Sequence, residues 1–304
     1  MLKPKHNQAT ALLALVLLAL IWGYNWVVMK IGVRDAPPFD FAALRAFCGS
    51  LSLFALMLCL RKPIRPKAVK GTFWVGVLQS GGFIGLATWA LVSGGAGKTA
   101  ILTYTMPFWT LLLAGIFLGE RLTRLRQVGV SLALVGLLCI LTPFSFTSDL
   151  LSKGLALLAG MSWAGGAILA KRLQTQHSLD LLSFTAWQML FGSLPLALVS
   201  FWLPSAPINW TPSFIGALLY NVIPASAIAW LLWLYALKHL PAGIAGLCTL
   251  ITPVIGVLAA SIQLGEVPSV SELAGMVLIV VALVLNAMSV ASIFPNKTVK
   301  MLKD

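Results

Sequence analysis

The chain has 304 residues, of which 59% are hydrophobic and 10% are charged. A soluble domain carries about 25% charged residues, so this composition excludes a water-soluble fold and predicts an integral membrane protein. The net charge of +13 comes from short clusters of Lys and Arg between apolar runs, a pattern typical of membrane topology signals, and we expect no nucleic-acid partner.

Ten apolar segments are long enough to cross a bilayer, which requires about 20 residues of helix. The first continues from Ala11–Ile21 through Trp22–Val28 with no clear signal-peptide cleavage site, so we expect an uncleaved first span. The connections are short and leave no room for a large soluble domain. The predicted spans are about 11–31, 38–60, 71–93, 97–118, 125–143, 153–170, 179–203, 212–236, 242–264 and 270–293.

The distribution of Lys and Arg predicts how these spans are oriented. With ten crossings, sixteen basic residues fall on one side and four on the other, and Arg45 lies within a span. Because cytoplasmic loops are enriched in Lys and Arg, both termini are expected in the cytoplasm. The sequence therefore predicts a multi-pass protein of the bacterial inner membrane, with the lipid bilayer as its surroundings.

One stretch of the chain occurs twice, because residues 96–129 recur at residues 242–275 with a constant offset of 146. The segments Trp22–Lys30 and Trp163–Lys171 also align. Apolar composition alone would not match Gly, Pro and Gly-Glu at identical spacing. The coincident pairs are Ala96 and Ala242, Gly97 and Gly243, Thr103 and Thr249, Pro107 and Pro253, Gly119 and Gly265, Glu120 and Glu266, and Gly129 and Gly275.

This duplication divides the chain into two five-span repeats, residues 1–146 and 147–304. Because five is odd, the second repeat enters the membrane from the opposite face. The sequence thus predicts an all-α integral membrane fold of ten transmembrane helices, arranged as two inverted five-helix repeats. Inverted repeats suit alternating access, in which one conformation is the exchanged-half image of the other. Duplication as a simple route to a larger bundle is the alternative.

Several polar or aromatic side chains fall at mid-depth in the predicted spans. A buried amide without a partner is costly in hydrocarbon, so the amides are expected to face one another, a ligand or water. For the tryptophans, a place in the interfacial belt or against lipid stays open. The predicted substrate cavity consists of Trp22, Asn25, Gln79, Trp89, Tyr104, Trp163 and Asn221.

Two prolines, Pro107 and Pro253, occupy the middle of the fourth and ninth spans. Proline removes a backbone hydrogen bond, and in lipid the unpaired carbonyl must find a partner in another helix or a cavity. We predict a pair of hinges here, with static packing kinks as the alternative. The glutamates that end the same spans, Glu120 and Glu266, are predicted structural caps, with substrate contact as the alternative.

Arg45 is the one clear charge within a predicted span. A charge there costs roughly 2.5–3.5 kcal/mol on insertion scales, so the side chain is expected to face the interior. A contact with a substrate carboxylate and a structural pairing with backbone carbonyls both stay open. Its counterpart in the second repeat is Gln188, which is polar at a matching depth.

The sequence lacks the residue patterns of an enzyme. No Asp or Glu lies in the middle of a span, and there is no H-E-x-x-H, G-x-S-x-G or nucleotide-binding loop. The four cysteines lie in apolar runs without C-x-x-C spacing, as expected for packing residues. We expect neither an enzyme nor a bound metal or cofactor. If protons are the coupling ion, they would not use a mid-membrane carboxylate.

With these residues in hand, the chain resembles the EamA family of the drug/metabolite transporter superfamily over essentially its whole length. The matching features are Trp22-Gly23-x-Asn25, Ala42-x-x-Arg45 and the doubled run that ends in Gly-Glu. The Trp163 segment lacks the polar residue that matches Asn25. The resemblance implies a ten-span basket with a central cavity open to one side at a time, and movement of small metabolites such as amino acids.

The sequence as a whole favours a secondary transporter that exports a small neutral or zwitterionic metabolite, such as an amino acid, by alternating access. One alternative is a multidrug or cation exporter of the same superfamily, which would be expected to carry an intramembrane carboxylate. The other is a membrane scaffold that transports nothing. Substrate identity, energy coupling, direction and oligomeric state stay open.

Overall fold

The computed structural model describes residues 4–119, 124–141, 150–203, 205–242 and 251–265. Beyond these it describes residues 245, 248–249, 267, 269–271, 273–278, 281–282 and 285. The described part of the chain is helical and contains no strand. Its main helices are α1 Pro4–Asp35, α2 Pro38–Cys59, α3 Val69–Ser93, α4 Ala96–Thr103, α5 Met106–Leu118, α6 Arg124–Leu141, α7 Leu150–Gln176, α8 Leu181–Trp202, α9 Pro212–His239 and α10 Ile251–Leu264.

These helices confirm the all-α membrane class that the composition predicts. Seven stretches are long and apolar enough to cross a membrane: α1 from Ala9, α2, α3, α4 with α5, α7, α8 and α9. Two shorter apolar helices, Gln127–Gly136 and Ile251–Leu264, fall within the predicted fifth and ninth spans. The predicted tenth span, 270–293, lies largely outside the described residues, so the count of ten stays a prediction.

Local sequence explains where several helices begin and end. The Asp180 side chain accepts a hydrogen bond from the Ser183 N–H at 3.0 Å and caps the start of α8. At the other termini, Gly119 after α5 and Gly265 after α10 have φ of 68° and 69°, a left-handed conformation that favours glycine. The doubled glycines are therefore matched helix stops. Glu120 and Glu266, predicted as caps beside them, lie outside the described residues.

Two helices contain a π-helical segment at matching positions of the two repeats. These segments are Gly76–Gly82 within α3 and Asn221–Ile228 within α9. π-Helical turns are rare and occur frequently at functional sites, because they change the direction in which side chains point. The sequence did not predict them.

Each π-helical segment packs against a glycine of the opposite repeat. A Cβ built on Gly192 of α8 would lie 2.4 Å from the Ser80 Cβ, and one built on Gly49 of α2 would lie 3.0 Å from the Ser226 Cβ. Gly49 aligns with Gly192, and Ser80 aligns with Ser226. The same contact is thus made twice between the halves, with the roles of the halves exchanged.

Hydrogen bonds between connecting segments define two ends of the bundle. At the first, which we name the Asp35 end, the Asn209 N–H donates to the Asp35 carbonyl at 2.8 Å and the Ser205 hydroxyl donates to the Asp40 carboxylate at 3.2 Å. The Ser152 hydroxyl at the start of α7 donates to the Ala90 carbonyl near the end of α3, at 2.8 Å. The start of α7 therefore lies at the same end of the bundle as the end of α3.

The opposite end, which we name the Asp180 end, is tied by the link between α2 and α3. The Lys62 ammonium forms an ion pair with the Asp180 carboxylate at 2.6 Å, and the Trp187 Nε1–H donates to the Ile64 carbonyl at 2.6 Å. The Gln174 amide near the end of α7 contacts the Leu234 carbonyl of α9 at 3.4 Å. Helix α7 therefore runs from the Asp35 end to the Asp180 end, opposite to α1.

Candidate functional site

A cluster of tryptophans lies at the centre of the bundle, where α1, α7 and α9 meet. The Trp22 and Trp163 rings lie 5.1 Å apart edge to face, and Trp163 lies 5.1 Å from Trp230 and 5.4 Å from Trp233. The Trp22 indole N–H donates to the Ala225 carbonyl at 2.9 Å. All four are buried, so they belong to the interior of the bundle and not to an interfacial belt.

A small cavity of about 30 Å³ adjoins this cluster, and we name it the central cavity. A water molecule needs a cavity of roughly 10–15 Å³, so the space holds a few waters at most. A metabolite would not fit between these described lining residues without movement of the walls. The lining residues are Trp22, Asn25, Trp26, Met29, Arg45, Phe83, Ile84, Ala87, Tyr104, Met106, Trp163 and Trp230.

Arg45 brings a buried guanidinium to this cavity. Its side chain is 3% exposed, its Nη1–H donates to the Met29 Sδ at 3.1 Å, and its Nε–H has no hydrogen-bond partner. A thioether sulfur is a weak acceptor, so this contact leaves most of the hydrogen-bonding capacity of a cation unused. Guanidinium groups bind carboxylates through paired hydrogen bonds, which is the chemistry this position offers.

Asn25 and Tyr104 complete the polar part of the wall. The Asn25 Oδ1 is buried without a hydrogen-bond partner and is an available acceptor. Tyr104 lies where α4 ends, and its ring is 6.3 Å from that of Trp26. The cavity thus offers a cationic donor and a neutral acceptor beside aromatic surface.

The structure brings together five of the predicted residues and separates the rest. Trp22, Asn25, Arg45, Tyr104 and Trp163 line the central cavity. Sequence reasoning missed Trp26 and Met29, although they follow Trp22 at the i+4 and i+7 spacing of one helix face. It also missed Phe83, Ile84, Ala87, Met106 and Trp230.

Gln79, Asn221 and Trp89 lie elsewhere. Gln79 is buried against Gly166 of α7, with neither side-chain amide atom hydrogen-bonded. The Asn221 Nδ2 donates to the carbonyl of Ala217 in its own helix at 2.9 Å, while its Oδ1 is unpaired. Trp89 is 37% exposed and its ring lies 5.5 Å from Phe39, near the Asp35 end.

The fourth span is broken immediately before its proline. Helix α4 ends at Thr103, and α5 begins at Met106 with Pro107 in its first turn, where proline is well tolerated. Pro253 is buried near the start of α10. Both prolines therefore lie within the first three residues of a described helical segment, and Met106, which precedes Pro107, lines the central cavity.

Each end of the bundle has its own cavity outside the central one. The Asp35 cavity has a volume of about 530 Å³ and is lined by Arg34, Asp40 and Trp89, among others. The Asp180 cavity is about 90 Å³ and is lined by Pro63, Arg65, Pro66 and Lys67 of the link and by Trp187 of α8, among others. Of these two end cavities, formed by described residues, the one at the Asp35 end is the larger.

The carboxyl group that closes the Asp180 end is held in its charged form. Partial burial of Asp180 by itself would raise its pKa, but hydrogen bonds from Lys62 and from the Ser183 N–H outweigh that effect. The pKa of Asp180 is consequently lower than its ordinary value. The ion pair that fastens the link is therefore present at neutral pH.

The chain is similar to known transporters over most of its length. A family model described as "EamA-like transporter family" matches the chain twice, at residues 9–142 and 151–288. The chain is 29% identical over 281 residues to "Uncharacterized transporter YoaV" of Bacillus subtilis, covering 90% of this chain and 96% of that protein.

Two further comparisons cover most of the chain. A "Probable amino-acid metabolite efflux pump" of Salmonella typhimurium is 29% identical over 282 residues, covering 89% of this chain and 92% of that protein. A solved crystal structure with 19% sequence identity has a TM-score of 0.75 and covers 92% of this chain and 97% of its own. At that identity, the likeness shows a shared fold.

Proposed function

Because the chain belongs to the EamA-like transporter family, we propose that this membrane transporter exports a small neutral or zwitterionic metabolite, such as an amino acid, by alternating access. Membership of a transporter family and the long apolar helices together imply an integral membrane protein with a small-molecule substrate and the lipid bilayer as its partners. The proposal concerns the substrate class, the direction and the mechanism. The printed name of the Salmonella typhimurium relative, "Probable amino-acid metabolite efflux pump", supports the proposed substrate class and the outward direction.

The central cavity is the observation that carries the proposal. It combines the buried Arg45 guanidinium, the unpaired Asn25 Oδ1 and the faces of Trp22 and Trp163. In the proposed complex, Arg45 binds a carboxylate, Asn25 accepts a hydrogen bond from an ammonium or amide group, and the tryptophans contact an apolar substituent. The substrate carboxylate would neutralise the Arg45 charge, and the ammonium group of a zwitterion would be left to the neutral Asn25 Oδ1 and the tryptophan faces.

Alternating access explains why the cavity is so small. In our proposal the repeats 1–146 and 147–304 are inverted relative to each other and rock about the central cavity. The repeated contacts of Ser80 with Gly192 and of Ser226 with Gly49 support such a relation. The breaks near Pro107 and Pro253 are the proposed hinges, because a helix interrupted there can change direction at low cost.

The proposed setting is a bacterial inner membrane with both termini in the cytoplasm. The basic link at the Asp180 end supports this orientation, since it contains Arg61, Lys62, Arg65 and Lys67, and Lys70 follows at the start of α3. The wider Asp35 cavity would then face outward. Protons are the candidate coupling ion, and downhill efflux without coupling is the alternative.

Transport by the purified protein tests the proposal. Proteoliposomes that contain this chain alone are loaded with a panel of amino acids, neutral metabolites and organic cations, and efflux is measured for each. We expect efflux of a compound with a carboxylate. Efflux of cations alone would favour a cation exporter, and no efflux from any member of the panel would contradict a transport function.

A matched variant tests the carboxylate contact. Arg45→Gln places at this position the residue found at the equivalent position, Gln188, and removes the charge. We expect KM for a carboxylate substrate to rise roughly tenfold or more, while its uncharged amide analogue is affected much less, because a charge-assisted hydrogen bond contributes about 1.5–3 kcal/mol. Equal losses for acid and amide would contradict the contact.

A further inference from the structure

Two lysines make the same pair of hydrogen bonds in the two halves of the chain. The Lys30 ammonium donates to the carbonyls of Leu91 and Gly94, at 2.7 and 2.8 Å. The Lys171 ammonium donates to the carbonyls of Leu237 and Leu240, at 2.6 and 2.9 Å. The lysines align in the repeat and so do their partners, which lie 146 positions apart. This contact between helices is therefore made once in each half.

Each lysine lies at the same distance from the tryptophan of its own helix that lines the central cavity. Lys30 follows Trp22 by eight residues along α1, and Lys171 follows Trp163 by eight residues along α7. Eight residues of helix span about 12 Å. Because α1 and α7 run in opposite directions, Lys30 lies at the Asp35 end and Lys171 at the Asp180 end.

Along α1, Lys30 lies between the central cavity and the Asp35 cavity. On α1 the central cavity is lined as far as Met29, and the Asp35 cavity begins at Val33. On α3 the central cavity is lined as far as Ala87, and the Asp35 cavity begins at Trp89. The bonds from Lys30 join these two helices at the boundary between the cavities.

The chemistry of the contact suits a reversible closure. The last carbonyls of a helix have no partner within the helix and carry its partial negative charge, so they attract an ammonium group. Both lysines are only half-buried, and water can replace the carbonyls when the helices separate. Hydrogen bonds of this kind are strong enough to hold a helix end, and no covalent step is needed to break them.

We propose that Lys30 and Lys171 are equivalent latches that close the central cavity toward the Asp35 end and the Asp180 end. Lys30 ties α1 to the end of α3, and Lys171 ties α7 to the end of α9. Both latches are closed in this structure, in agreement with the small central cavity. The inference rests on the proposed alternating access and adds to it a motion within each repeat. In this motion α1 separates from the end of α3, or α7 from the end of α9, while the other latch stays closed.

Accessibility of a cysteine in the cavity tests the latches without any substrate. Ala87 lines the central cavity and is buried, so Ala87→Cys is the reporter, in a chain whose four native cysteines are replaced by serine or alanine. Its reaction with a membrane-impermeant maleimide is measured from each side of the membrane. Lys30→Met should raise the labelling rate about tenfold from one side, and Lys171→Met from the opposite side, as expected when a charge-assisted bond is lost.

Exposed lysines close to each latch provide the controls. Lys98 lies four residues after Gly94 and Lys238 follows Leu237, and both side chains are exposed. Lys98→Met and Lys238→Met should leave labelling unchanged. The Lys30→Arg and Lys171→Arg variants keep the donors and should stay slow, which separates the latch from general loss of packing.

The outcomes are distinct. Faster labelling from the same side in both methionine variants, from both sides equally, or in neither variant would overturn the proposal. Failure of every substrate in the proteoliposome panel, with side-specific labelling intact, would contradict the proposed function and leave the latches standing.

Discussion

The close contact of α8 with the π-helical segment of α3 gives a quantitative prediction for Gly192→Ala. The new methyl group would lie 2.4 Å from the Ser80 Cβ, 2.5 Å from the Gly76 carbonyl oxygen and 2.9 Å from the Gly81 nitrogen. Two of these three atoms belong to the backbone, which cannot rotate aside as a side chain can. The helices must therefore separate by roughly 1 Å to reach an ordinary contact distance.

The expected change in stability combines two opposing effects. Alanine in place of glycine favours a helix by up to about 1 kcal/mol, and overpacking a tight contact costs about 1–3 kcal/mol. Because backbone atoms form most of this contact, we expect the upper part of that range and a net loss of about 1–2 kcal/mol. Gly216→Ala in α9 is the matched control, since nothing lies within 4 Å of its added methyl group.

Thermal unfolding in detergent micelles, followed by tryptophan fluorescence, measures the difference. A change of 1 kcal/mol corresponds to a shift in Tm of about 2 °C for a chain of this size, so Gly192→Ala should lower Tm by about 2–4 °C while Gly216→Ala does not. Adding Ser80→Gly should recover part of the loss, because it removes one of the three contacts. If Gly192→Ala unfolds at or above the wild-type temperature, the close packing described here is wrong.

Two further predictions concern the hinges and the Asp180 end. Pro107→Ala and Pro253→Ala should each slow transport severalfold without preventing membrane insertion, because a continuous helix would resist bending; full activity in both would contradict the hinges. Asp180→Asn should accelerate hydrogen exchange of the link 61–68 modestly at pH 7, since a half-exposed ion pair contributes about 0–1 kcal/mol. The pKa of Asp180 is lowered in the folded protein, so this stabilisation exists above its ordinary pKa of about 3.9 and disappears as pH falls through the lower folded value. The two proteins should therefore exchange alike in strong acid, and a difference that persisted there would exclude this origin.

Composition and repetition predict the large-scale organisation well. A helix in lipid must satisfy its own backbone hydrogen bonds, so a long apolar run has few alternatives to a membrane-spanning helix. The matched glycines predict helix ends because a left-handed residue is needed there, and Gly119 and Gly265 adopt that conformation. Both features, the apolar helices and their ends, depend on residues that are adjacent in the chain, so they can be predicted from the sequence.

The direction in which an individual side chain points is harder to predict. The depth of a residue in the membrane does not determine which side of the helix it lies on. Gln79 and Asn25 were both predicted at mid-depth, yet Asn25 lines the central cavity and Gln79 packs against Gly166. The π-helical segments contribute to this difficulty, since a turn with i→i+5 bonds rotates the side chains that follow it. Nothing in the local sequence signals where such a turn begins.

Lys30 and Lys171 show how a signal can be present and still be missed. Their alignment is visible in the sequence, where they end matching segments that begin at Trp22 and Trp163. Counted as loop charges, they serve only to orient the spans. Their carbonyl partners lie about 60 residues away in the chain, in the next helix but one, and that proximity arises only from the packing of the bundle.

The two halves share their helix-packing contacts but not the polar residues of the central cavity. The lysine contacts, the π-helical segments and the helix-ending glycines occur in both halves. The polar groups of the central cavity do not: Asn25 and Arg45 come from the first half, and the equivalent positions hold Gly166 and Gln188. In the proposed mechanism, a symmetric framework would let the two ends open by the same motion, and an asymmetric site would hold a substrate in one orientation throughout. In the proposed mechanism the first half would therefore bind the polar groups of the substrate and supply most of the cavity lining, and the second half would contribute the faces of Trp163 and Trp230.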